Sequence, residues 1–67
     1  MIYILNVIKK GGTLEYMDIS NVGLFTKDVE CATQFTDKYK AEKKAEFYSK
    51  TLNLMQLGIS KIVVSEK

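Results

Sequence analysis

Apolar residues fall along this chain in runs of different period. Residues 2–8, IYILNVI, are apolar everywhere except Asn6, and a short run apolar on both faces predicts a strand in the middle of a sheet. KKGGT at 9–13 supplies Gly11 and Gly12 for a tight reversal. LEYMD at 14–18 then alternates, with Leu14 and Tyr16 on one face and Glu15 and Met17 on the other. ISNVG reads as a turn, GLFT at 23–26 as a short third strand, 28–32 as one helical turn and 33–35 as extended chain.

From residue 36 the period changes from two to that of a helix. Thr36 or Asp37 can accept from the free amides of a first turn, no proline interrupts the segment, and Gly58 stands where a left-handed residue ends a helix. With Ala41 at the origin and 100° per residue, Ala45, Tyr48, Leu52 and Met55 fall within about 40° of it, a narrow apolar stripe that packs on the sheet. After Gly58, ISKIVVS at 59–65 alternates again and is β-branched, so the last element is a strand.

The order β-β-(β)-α-β predicts a small α+β domain, a mostly antiparallel sheet of three or four strands with one helix on one face. One helix leaves the other face of the sheet open. Either Tyr3, Leu5 and Val7 or the alternate set Ile2, Ile4 and Ile8 then points away from the helix, and the last strand presents either Ile62 and Val64 or Ile59 and Val63. Two outcomes follow. The exposed set, taken here as Tyr3, Leu5 and Val7, forms a homodimer or partner contact; or the 18–35 loop, with Ile19, Val22, Leu24, Phe25 and Val29, folds over that face and completes the core.

Sixty-seven residues make one domain, and a chain of this size buries only about 60% of its unfolded surface, so its core is marginal. Disulfides or metals often reinforce such cores, but Cys31 is the only cysteine and histidine is absent. Neither an internal disulfide nor a Cys/His zinc site can be built, no cofactor is indicated, and a reducing cytoplasm is the expected setting. The run at 2–8 is too short to span a bilayer. Catalytic chemistry has little to stand on without histidine or a recognisable carboxylate or Ser/Lys constellation. At Cys31, neighbouring Asp28 and Glu30 disfavour a thiolate, so the cysteine reads as a small core residue. Gly11-Gly12 lacks the rest of a phosphate loop.

Charge narrows the choice of partner. All ten basic residues are lysine, and without arginine the chain lacks the fork that reads guanine edges and clamps phosphate. A net charge of +2 is weak for a nucleic-acid domain. On the predicted helix, Lys40, Lys43, Lys44 and Lys50 share a sector with Phe47 and Leu54, away from the apolar stripe. Asp37, Glu42 and Glu46 offset part of that charge, and Glu46 with Lys50 has the spacing of a favourable helical ion pair. Three readings fit this sector. It is a solvated face, or a protein contact anchored on Phe47 and Leu54, or a basic helix that holds nucleic acid through its lysines together with Lys9 and Lys10.

The progression IYILNV, DVECATQFTDKYKAEKKAEFYSKTL and ISKIVVSE resembles small proteins encoded by phages and prophages of low-GC Gram-positive bacteria. There a strand hairpin precedes an A-x-x-F segment, here Ala32 and Phe35, then a helix with spaced alanines, here Ala41 and Ala45, and a closing strand, here 62–64. The resemblance implies a phage accessory protein, transfers no catalytic residue, and makes a host protein the expected partner, inhibited or redirected. A nucleic-acid-binding regulator and a structural homodimer are the alternatives.

Overall fold

β1 (Tyr3–Lys9) is central because it is apolar on both sides: β2 (Leu14–Met17) flanks it on one edge and β4 (Ile59–Glu66) on the other. The computed structural model describes residues 1–67. With β3 (Phe25–Thr26) outside β2, the four strands form one antiparallel sheet in the order β3-β2-β1-β4, and α1 (Lys38–Thr51) packs on one face of it. The expected α+β architecture is therefore present, its third strand reduced to two residues.

The hairpin between β1 and β2 turns at Gly11 and Gly12, both at φ +90°. That conformation strains any residue carrying a Cβ, so the paired glycines fix where β1 stops and which faces oppose. Asn6 then faces Tyr16, Val7 faces Glu15 and Ile8 faces Leu14. Between β1 and β4 the register runs from Tyr3 opposite Glu66 to Ile8 opposite Lys61, and then slips so that Lys9 faces Ile59. Ser60 is the extra residue of a β-bulge. The slip has a consequence for the core: Ile59 and Ile62 both point to the helix, and Val64 joins them, whereas unbroken alternation puts Ile59 on the face of Val63.

The core lies between α1 and the sheet, with Leu5, Val7, Met17, Ile59 and Ile62 under Ala41 and Ala45. The two alanines are small enough to let the helix axis approach the strands, and Tyr48, Leu54 and Phe35 close the margins. Leu5, Val7, Met17 and Ile59 are fully buried, each stabilising the fold by about 1.5 to 3 kcal/mol through removal of apolar surface from water. This settles the choice of faces. Leu5 and Val7 are core, half-buried Tyr3 packs beside them, and none of the three forms an exposed patch.

The opposite face is covered at one end. Ile4 is buried there, and buried Asn6 donates its side-chain amide to the Ser65 hydroxyl and the Val63 carbonyl. Phe35 exchanges two backbone hydrogen bonds with Tyr3, and Lys67 reaches Glu30 at 3.2 Å, so the 28–35 stretch crosses the sheet at this end and buries Ala32. Leu24 and Phe25 instead pack against the helix-side core, and Val22 is fully exposed. The loop thus contributes to both sides of the sheet but covers the outer face only at this end. At the other end of that face Leu14 and Val63 stay exposed, with Ile8 and Tyr16 half-buried.

Before the helix, Val29–Cys31 forms a 3-10 turn capped by Asp28, whose carboxylate accepts from the Glu30 amide. Asp37 caps α1 in the same way through the Tyr39 amide at 2.9 Å. The helix ends earlier than its sequence pattern predicts. Leu52 is already extended, at φ −84° and ψ 141°, and the Asn53 side chain accepts from the Gln56 amide in a separate turn that Gly58 closes at φ +73°. Continued as helix, the chain would carry Leu54 onto the solvent side; by leaving the helix, Leu54 reaches the core. Met55, expected on the apolar stripe, is exposed as a result.

Candidate functional site

With Ala41 and Ala45 turned to the sheet, α1 presents two unlike flanks. Lys38, Glu42, Glu46 and Ser49 border the outer side of β4. Tyr39, Lys40, Lys43, Lys44 and Phe47 lie on the other flank, where Phe35 meets them, and the six side chains line a cleft of about 330 Å³. Its construction is local. The Tyr3–Phe35 backbone pair, at 2.8 and 2.9 Å, holds Phe35 against the sheet, and the Asp37 cap starts the helix two residues later, so Tyr39, Lys43 and Phe47 rise from Phe35 at intervals of four.

Two rings of the cleft are largely solvent-exposed, Tyr39 by 65% and Phe47 by 53%, while Phe35 is half-buried against the core. Their faces are not bare, however. The Lys43 ammonium lies 5.4 Å from the centre of the Tyr39 ring and the Lys44 ammonium 5.8 Å from that of Phe47, both within cation–π range. Phe47 also meets Tyr48 edge to face, with centroids 5.2 Å apart. The lysines therefore lean across the apolar surface they border, keeping their charge in water while their stems extend it.

Of the residues the sequence singles out, Lys40, Lys43, Lys44 and Phe47 come together. Lys50 stands apart, bound to Glu46 at 2.9 Å in the expected ion pair. That hydrogen bond, then the Lys50 charge and the Lys43 charge, hold the Glu46 carboxyl below its usual range. Leu54 belongs to the core and not to the helix surface, and Leu5 and Val7 lie beneath the helix. Two members of the cleft, Phe35 and Tyr39, escape a reading based on lysines alone. The signal for Tyr39 is its four-residue spacing from Lys43 and eight-residue spacing from Phe47 on α1, whereas Phe35 precedes the helix and reaches the cleft through its bridge to Tyr3.

Cys31 is exposed, not part of the core. Its thiol lies 3.6 Å from the Asp28 carboxylate, whose charge and hydrogen bond, with smaller effects from burial, Asp18 and Glu30, raise its pKa above the ordinary thiol value. A thiol held neutral in this way is a weak nucleophile. No three Cys, Asp or Glu side chains gather where they could hold a metal ion, and no helix is long and apolar enough to cross a membrane. Comparisons with protein-family models, curated proteins and solved structures find no match to this chain.

Proposed function

We propose that this is a non-catalytic, phage-type accessory protein that acts in the cytoplasm of a bacterial host by docking a host protein in the Phe35–Tyr39–Phe47 cleft and modulating it. The observation that carries this reading is the convergence of three aromatic side chains beneath a lysine rim on the exposed flank of α1. Exposed rings on a rigid helix are the usual anchors of protein interfaces, and a rim of like charge selects a partner by its sign. The partner segment that fits is apolar at its centre and acidic at its border.

Nucleic acid is the second reading, since three lysines flank rings able to stack bases. Two features count against it. Lys43 and Lys44 already occupy the ring faces that bases would use, and Glu42 and Glu46 lie on the same helix. A photo-reactive phenylalanine analogue at position 47, irradiated in bacterial lysate with and without nuclease, separates the two. A nuclease-insensitive protein adduct, absent when the analogue is at exposed position 22, supports protein docking. Adducts to DNA or RNA alone support the alternative.

A further inference from the structure

β4 is the long free edge of the sheet. The Lys67 amide donates to the Ile2 carbonyl at 2.8 Å, which sets the parity of the ladder: Lys61, Val63 and Ser65 bond inward to β1, while the backbone groups of Ile62, Val64 and Glu66 point outward. Nothing else in the fold pairs with those outward groups. Edges of this kind are normally blunted by proline, by a bulge, by a short strand or by charged side chains, lysine above all; the regular part of β4 carries only Lys61 and Glu66 of these charges, and the pairing described below sets both against serines. Here the chain has no proline, the strand is eight residues long, and its bulge lies at Ser60, leaving 61–66 regular.

We infer that the outer edge of β4 pairs antiparallel with β4 of a second copy, joining two sheets into one of eight strands. The sequence of the edge specifies the register. Centred on Val63, the pairing sets Ile62 against Val64 with mutual hydrogen bonds, Val63 against itself, Lys61 against Ser65 and Ser60 against Glu66, with no like charges opposed. A shift of two residues one way opposes Lys61 and Lys67. The same shift the other way carries Glu66 past the bulge to Gly58, where the ladder is broken. A one-residue shift sets outward groups against inward ones and reverses the faces.

The helix flank beside the edge obeys the same symmetry. Lys38, Glu42 and Glu46 run along the groove beside residues 62–64, and a two-fold axis at Val63 turns this row end for end, bringing Lys38 of one copy toward Glu46 of the other while the two Glu42 carboxylates, the one like-charged pair, face each other across solvent. Val63 closes on its own copy across the axis. The aromatic cleft lies on the opposite flank of α1, so pairing leaves it open and doubles it; the inference stands independently of what that cleft binds.

Val63 is 36% exposed and points away from the helix, so a charge there leaves the monomer folded. Sedimentation of the wild-type protein is expected to show reversible dimers, with hydrogen exchange of the Ile62 and Val64 amides slowing as concentration rises. V63K and V63E each place like charges at the centre of the pair and are expected to raise the dissociation constant roughly fivefold or more. An equimolar mixture of the two restores association. Val64→Pro removes an outward amide, at a position where edge strands accept proline, and replaces a half-buried side chain that packs against the core; it is expected to abolish pairing, with circular dichroism and a thermal melt showing that the fold is kept. A wild-type protein that stays monomeric into the millimolar range, or dimers indifferent to V63K, or no recovery in the mixture, overturns the inference.

Discussion

Replacing Leu5 by alanine separates a core role from a contact role at the centre of β1. Leu5 is fully buried in the isolated chain, directly beneath Ala41 and Ala45. The substitution removes three carbons, about 2.4 kcal/mol at roughly 0.8 kcal/mol per buried methylene. The alanines above are too small to fill the space, and the cavity brings the expected loss to about 3 to 5 kcal/mol. A domain of 67 residues has about 3 to 10 kcal/mol in total, at roughly 0.05 to 0.15 kcal/mol per residue. Leu5→Ala is therefore expected to leave the chain largely unfolded or barely stable. Urea denaturation followed by far-ultraviolet circular dichroism measures this: with a slope near 1 kcal/mol per molar, the midpoint falls by about 3 M or drops out of range. A loss below about 1 kcal/mol, with self-association altered instead, would refute the placement of β1 under the helix.

Ala41→Leu overfills the closest approach of α1 to the sheet and is expected to cost about 1 to 3 kcal/mol in the same assay, whereas exposed Lys40→Leu is close to neutral. Cys31 is expected to react with a thiol-specific disulfide reagent at pH 7.5 more slowly than a free cysteine, and Asp28→Asn to accelerate it, because the raised pKa depends first on the Asp28 charge. The Glu46 pKa is depressed in the fold, so its pairing stabilises the protein above the ordinary carboxylate range and is lost as pH falls through the folded value. Lys50→Gln should return the Glu46 titration, followed by NMR, toward its ordinary position; an unchanged titration would show that Lys50 is not the cause.

Elements whose local signals and tertiary needs agree were legible in the sequence. The apolar run of β1, the glycine pair after it and a cap at Thr36 or Asp37 each point to one kind of structure, and all three appear, the cap falling to Asp37. The end of the helix was not legible. Leu52 and Met55 continue a helical stripe and nothing local forbids it; what ends α1 is a gain made elsewhere, the burial of Leu54 against the core. The choice of sheet face was equally hidden, because β1 offers two apolar faces of similar strength. The bulge at Ser60 breaks the alternation on which the face assignment of β4 relied. In the cleft, the lysines and Phe47 were visible as a sector of the helix, while Phe35 joins them only through its backbone pairing with Tyr3, a contact across 32 positions that no helical wheel contains.

Whether the aromatic cleft docks a protein with its lysines only as a rim is decided by comparing Phe47→Ala with the Lys40, Lys43 and Lys44 to glutamine triple variant. Both are compared with wild type for capture of the protein that crosslinks at position 47 and for binding of single-stranded DNA across a salt series. Phe47 is exposed, and if it anchors the partner as proposed its truncation is expected to weaken capture by about 1 to 4 kcal/mol. The triple variant is expected to change mainly the association rate and its salt dependence. The contradicting result is the reverse order. If the glutamine variant abolishes binding while Phe47→Ala retains it, and DNA binds with a salt slope that falls by roughly 0.7 per lysine removed, the helix is a nucleic-acid surface and not a protein-docking one.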